Sequence, residues 1–164
     1  MFLKTVLLRI CERFVSRYLY LRTSPVLSNK GSLVLSKTKK HVTTLTMNNP
    51  TKLNGWTQPM LDTLFELFDE HAADKNTKVV ILTGSDPYYC AGANLSENIK
   101  PMHPKKLHKM ITESNAKLFN YFIDFPKPIL VAANGPAIGA SVNSTALCNG
   151  IIASHSICSP GCSC

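Results

Sequence analysis

Two uninterrupted apolar runs constrain this chain most: Val79-Val80-Ile81-Leu82-Thr83 and Ile129-Leu130-Val131-Ala132-Ala133. Neither alternates with polar residues, so neither suits a sheet with one wet face. Each reads as a strand covered on both sides. Between them, residues 105–122 carry a helical pattern preceded by the breakers Pro101 and Pro104, and Pro126 and Pro128 punctuate the entry to the second run. Upstream, Val42 to Met47 is rich in β-branched residues and stops at Asn48-Asn49-Pro50, which predicts a short strand. Lys52-Leu53-Asn54-Gly55 is turn chemistry. Thr57 can cap a helix whose first turn tolerates Pro59. Its apolar stripe is Met60, Leu61, Leu64, Phe65, Leu67 and Phe68, with Asp62, Glu66, Asp69 and Glu70 on the wet side. After the second run, Asn134-Gly135-Pro136 leads into residues 137–147, whose small side chains predict a close-packed helix. Ile151 and Ile152 suggest one more strand. Strands alternating with helices place the chain in the α/β class.

The net charge of +8 invites a nucleic-acid reading, so its location matters. Residues 1–40 hold nine basic side chains and one acid, Glu12; the other 124 residues carry nine of each sign and are neutral. A nucleic-acid domain would spread basic residues over a folded face with interleaved aromatics, and that class is excluded here. The excess sits in a leader in which Leu3, Val6, Leu7, Ile10, Phe14, Tyr18 and Leu21 recur at helical spacing, with Arg9, Arg13 and Arg17 on an adjoining face. From Ser24 to Thr38 the chain is rich in serine and threonine and has no acid. This is the composition of a mitochondrial presequence, expected over residues 1–36. A surface or membrane-interface helix of the mature protein is the alternative. No apolar run approaches the roughly 20 residues needed to span a bilayer.

Six cysteines are scattered along the chain, one of them in the leader, which is not a secreted disulfide framework. His155, Cys158, Cys162 and Cys164 could ligate zinc, but the paired C-x-x-C spacing is absent. An unstructured tail with reduced thiols is the competing reading, and no metal is expected. There is no arrangement suggesting a Ser–His–Asp triad, no phosphate loop and no dinucleotide glycine pattern.

Two glycine-containing turns remain, each following a buried run. One is Tyr89-Cys90-Ala91-Gly92-Ala93-Asn94-Leu95; the other is Asn134-Gly135-Pro136-Ala137-Ile138-Gly139-Ala140-Ser141. Small residues let backbone N–H groups approach a ligand atom, and a helix start adds partial positive charge. Two such turns could converge on one anionic oxygen. Either turn alone could equally be a tight connection.

Taken together with Asn49-Pro50, Lys52-Leu53-Asn54, Phe125-Pro126-Lys127-Pro128 and Asn134-Gly135-Pro136-Ala137-Ile138-Gly139, the first turn resembles the crotonase family in order and approximate spacing. This is the enoyl-CoA hydratase/isomerase family. Residues 122–128 and 134–142 look particularly like the Δ3,Δ2-enoyl-CoA isomerases of mitochondria and peroxisomes. The resemblance covers about residues 39–154. It implies a crotonase-type spiral of ββα units, truncated to the N-terminal half of a domain over 37–154 and followed by a non-family tail, 155–164. It also implies an acyl-CoA thioester as partner and no cofactor. The oxyanion hole would be the backbone N–H groups of Ala93 and Ala140, with Cys90, Ala91, Gly92, Ala93, Asn94 and Gly139 lining the thioester path.

The pattern also breaks. In hydratases of the family a catalytic carboxylate lies three residues past the second oxyanion-hole position; here that residue is Asn143, which cannot take a proton. No Asp or Glu follows Asp124. The general base is therefore expected to be absent from this chain, as are the later segments that finish the core and build the family's trimer interface. Runs such as 79–83 would then lack cover. The activity implied is isomerisation of 3-enoyl-CoA to 2-enoyl-CoA in fatty-acid β-oxidation, in a form lacking its base. A non-catalytic acyl-CoA-binding or regulatory fragment and an enoyl-CoA hydratase are the alternatives. The expected compartment is the mitochondrion, or else the peroxisome, although Cys162-Ser163-Cys164 is not the usual peroxisomal address.

Overall fold

The computed structural model describes residues 32–94 and 103–154. Residues 1–31 of the expected leader, Leu95 with the rest of 95–102, and the tail with its candidate zinc-ligating cluster lie outside the described residues.

Five strands form one sheet in sequence order: β1 (Val34–Lys39), β2 (Val42–Met47), β3 (Val79–Gly84), β4 (Ile129–Ala133) and β5 (Gly150–Ala153). β1 and β2 make an antiparallel hairpin, with Val34 opposite Met47 and Lys39 opposite Val42. The other pairings are parallel. Parallel neighbours cannot be joined by a tight turn and need crossovers. Helices α1 (Gln58–Ala73), α2 (Pro104–Ile123) and α3 (Ala140–Ala146) lie in those crossovers. The α/β class follows from the sequence for this reason: the buried runs are parallel strands separated by helices.

Thr57 caps α1 as its position suggests, its hydroxyl accepting from the Met60 N–H at 3.4 Å, with Pro59 in the first turn. Met60, Leu64, Phe65 and Phe68 of the expected stripe are buried, whereas Leu61 and Leu67 are half-buried at its margin. They join Leu45, Met47, Val80, Leu82, Ile129, Val131, Leu118 and Phe122 in one core. Each fully buried side chain of this size contributes about 1.5–3 kcal/mol. Phe68 meets Phe122 edge-on at 5.4 Å, and Phe65 stacks on Tyr121 at 4.3 Å. These contacts fix α2 against α1.

The exit from α1 is held by polar groups. Lys127 Nζ donates to the carbonyls of His71 and Asp74, both at 2.6 Å, placing a cation where the helix carbonyls end. The Asp74 carboxylate accepts from the Asn76 N–H, the Thr77 hydroxyl and the Thr77 N–H. These bonds, the Asn76 N–H foremost, hold its carboxyl below its ordinary value.

Three expectations change. β1 is a strand where none was read, and it begins at Val34, ahead of the domain start expected at Lys37. Helix α3 begins at Ala140 rather than Ala137, because Ala137 forms a β-bridge with Cys90 and Gly139 has φ +61. And β3 does not lack cover: Val80, Ile81, Leu82 and Thr83 are all buried. Exposed large apolar side chains gather on and around α3, at Ile138, Val142, Leu147 and Ile151, with others at Leu53 and, on α2, Ile111 and Ile123.

Candidate functional site

Because β2, β3 and β4 are parallel, the segments that follow them leave from the same edge of the sheet. After β2, residues 48–57 pass through a 3-10 turn, Pro50–Lys52, and then through Leu53 (φ 53) and Asn54 (φ 54) in the left-handed region. The turn after β3 comes to lie beside it. Ala91 N–H donates to the Leu53 carbonyl (3.0 Å), Trp56 N–H to Gly92 (2.7 Å), and Asn94 N–H to Trp56 (3.1 Å). Asn54 adds a side-chain lock. Its Oδ1 accepts from the Asn49 N–H and the Ser85 hydroxyl, and its Nδ2 donates to the Ser85 and Tyr88 carbonyls. Every hydrogen-bonding valence commonly used by an amide is filled.

On its other side the Cys90 turn is joined to the turn after β4. Cys90 N–H donates to the Pro136 carbonyl (3.3 Å), and Ile138 N–H donates back to the Cys90 carbonyl (3.0 Å). Gly92 lies where the two turns pack against each other. It is buried, at φ +77, and an added Cβ would meet the Ile138 carbonyl oxygen at 2.4 Å and the Ala140 nitrogen at 3.5 Å. Only glycine fits there, on both conformational and steric grounds. The two turns found in the sequence are therefore in backbone contact.

The candidate residues differ in their surroundings. Ala93 is exposed, Ala91 and Asn94 are half-buried, Gly139 is exposed and Ala140 is half-buried at the first position of α3. Neither the Ala93 nor the Ala140 N–H is donated to an acceptor among the described residues. Cys90, by contrast, is wholly buried, and its Sγ accepts from the Gly92 N–H at 3.3 Å. Burial pushes its thiol up to about 12, so it stays protonated as a packing group, not a nucleophile. Asn143 is exposed on α3, one turn beyond Ala140.

The sequence did not single out Trp56, and Ser141 entered only as the last residue of the second turn, with no role of its own. Trp56 is 1% exposed and forms a parallel bridge with Ala93; Ser141 is fully buried against Cys90. Among the described residues no group of three or more His, Cys, Asp or Glu side chains could hold a metal ion. Nor is any described helix long and apolar enough to cross a membrane.

Comparison with known proteins fits this geometry. Residues 37–157 match the family model for enoyl-CoA hydratase/isomerase. Over 125 residues the chain is 33% identical to mouse (Mus musculus) peroxisomal enoyl-CoA delta isomerase 3, covering 74% of this chain and 38% of that protein. Over 123 residues it is 29% identical to 2,3-dehydroadipyl-CoA hydratase of Escherichia coli, covering 75% of this chain and 46% of the relative. Its structure resembles the crystal structure of an enoyl-CoA hydratase from Bacillus anthracis with a TM-score of 0.68 at 25% identity, over 77% of this chain and 49% of that one. The chain thus spans less than half the length of each of these relatives. With the fold, the interlocked turns and the matched segment in agreement, the chain belongs to the enoyl-CoA hydratase/isomerase family of crotonase-fold proteins.

Proposed function

We propose that the two interlocked turns form an oxyanion hole for the thioester carbonyl of an acyl-CoA, and that the reaction served is isomerisation of a 3-enoyl-CoA to a 2-enoyl-CoA. The observation that carries this reading is the contact of Gly92 with Ile138 and Ala140, beside two backbone N–H groups with no acceptor among the described residues. Removing a proton from C2 moves negative charge onto the thioester oxygen. Donors fixed in advance by the sheet stabilise that enolate far more than the neutral ground state. Losing one such donor in a well-studied hydrolase costs ~3–4 kcal/mol, so both turns carry weight. Ala91, Asn94 and Gly139, which are half-buried or exposed, shape the thioester path, with the buried Cys90 and Gly92 packed behind them. The thioester itself supplies the C2 acidity, so no cofactor is required.

Proton transfer also needs a base within hydrogen-bond reach of C2. Asn143 cannot be one, which weighs against hydration by this site. Among the residues of this chain no carboxylate follows Asp124. Asn143 at the position one turn past Ala140 favours a second reading, binding of acyl-CoA without turnover. Incubation with a 3-enoyl-CoA and a 2-enoyl-CoA, followed by the absorbance of the conjugated thioester, separates the possibilities. No turnover of either is the expected result for this chain, with binding of both read separately from Trp56 emission. Isomerisation would mean that another group of the chain serves as the base, and hydration would contradict the role given to Asn143.

For localisation, the Arg-rich, acid-poor leader supports the mitochondrion, with the peroxisome as the alternative. A reporter fused behind residues 1–36 that stays in the cytosol would overturn the mitochondrial reading.

A further inference from the structure

We propose that Ser141 is a positioning residue that sets the spacing between the Ala93 and Ala140 N–H groups; this rests on the oxyanion-hole reading. Ser141 is fully buried and follows Ala140 directly. Its Oγ accepts from the Ile138 N–H at 3.0 Å, and its single proton lies within reach of the Cys90 carbonyl (3.0 Å) and the Ile138 carbonyl (2.9 Å). The Ile138 contact is the local bond that a helical serine commonly makes three residues back, and Ser144 and Thr145 make the same kind, to Ser141 and Val142. The Cys90 contact is not local. It crosses 51 positions and reaches the turn that carries Ala93.

Without it, the turns are joined through the backbone pairing of Cys90 with Pro136 and Ile138. Their outer ends are joined through Asn134, whose Oδ1 accepts from the Gly84 N–H and whose Nδ2 donates to Asp86; all of these links lie ahead of α3. One short line of hydrogen bonds can act as a hinge, about which the start of α3 can rock. Such rocking would change the gap between Ala93 and Ala140 while leaving the sheet and its core intact. The Ser141 hydroxyl ties the first turn of α3 itself to the Cys90 carbonyl, the oxygen that also accepts from the Ile138 N–H, and so stops the rocking. Hydrogen bonds to a developing charge depend steeply on donor placement, so the clamp acts on carbonyl polarisation more than on affinity.

The test is the infrared C=O stretch of a saturated acyl-CoA labelled with carbon-13 at the thioester carbonyl, bound to the full chain. The wild-type chain should shift the stretch to lower frequency than in free acyl-CoA. S141A should lose roughly half or more of that shift while binding acyl-CoA only a few-fold more weakly. Emission from Trp56, the single tryptophan, reports whether each variant is folded. S141C, which fills the space with a weak donor, carries the test if the alanine variant does not hold its fold, and should lose the shift likewise. A full wild-type shift in the folded variant overturns the role of Ser141 alone. No shift with the wild-type chain overturns the oxyanion-hole reading and the clamp with it.

Discussion

Gly92→Ala is expected to weaken acyl-CoA binding at least tenfold and to destabilise the chain by about 3 kcal/mol or more. Two costs combine. An L-residue at the Gly92 φ of +77 is strained, at about 1–2 kcal/mol. The new Cβ would also stand 2.4 Å from the Ile138 carbonyl oxygen and 3.4 Å from its carbon. These are backbone atoms and cannot swing away as a side-chain tip could. Relief requires the second turn to retreat, which separates Ala140 from Ala93. Gly139→Ala makes a useful contrast: it has φ +61, but its added Cβ has no neighbour within 4 Å. That variant should show strain without displacement of the turn. Urea unfolding followed by Trp56 emission gives the stability, and titration with acyl-CoA gives the binding. Wild-type stability and affinity in the Gly92 variant would show that the turns are not in contact.

Asn54→Ala should be comparably severe, by a different mechanism. The amide is fully buried and makes four hydrogen bonds, at 2.9, 3.0, 2.7 and 2.7 Å. Truncation strands the Asn49 N–H and the Ser85 and Tyr88 carbonyls, each at about 1–3 kcal/mol if water cannot reach it. A loss of about 3–5 kcal/mol follows, measured by the same urea unfolding. Asn54→Asp isolates the donor half. Its second oxygen would face the Ser85 and Tyr88 carbonyls, which disfavours ionisation and raises the carboxyl above its unfolded value. A raised carboxyl means that the folded state holds the proton longer. Its stability is then greatest below the unfolded value and falls as pH rises through the folded one. A stability independent of pH from acid to neutral in this variant, beyond the trend of the wild type, would contradict the hydrogen-bond assignment.

How much of this was legible in the sequence depends on whether a residue's role is local. β3 and β4 announce themselves because a strand covered on both faces must be apolar throughout, and α1 because its stripe and cap lie within one segment. β1 escaped because from Ser36 onward its residues are exposed on both faces, so Ser36, Lys37, Thr38 and Lys39 carry no alternation. Lysines on an outer strand are also a common guard against edge-to-edge pairing. The start of α3 was misplaced because the run from Ala137 is mostly small and apolar and continues without a break into the helix, whereas pairing of Ala137 with Cys90 decides against it. At the site, glycine and small-residue composition identified both turns. The contact between them and the Ser141 clamp depend on neighbours about 50 positions apart, and no periodicity encodes that. Asn54 was read as a turn residue, which it is; the reach of its side chain to Ser85 and Tyr88 was not readable.

If the two turns form an oxyanion hole, the thioester oxygen is the atom they recognise. That recognition is tested by titration of the full chain with hexanoyl-CoA and with its S-hexyl thioether, in which a methylene replaces the carbonyl, using Trp56 emission and calorimetry. Two hydrogen bonds at about 0.5–1.5 kcal/mol each predict that the thioester binds about tenfold tighter. Equal affinity for the two ligands, or failure to bind either, would contradict the claim.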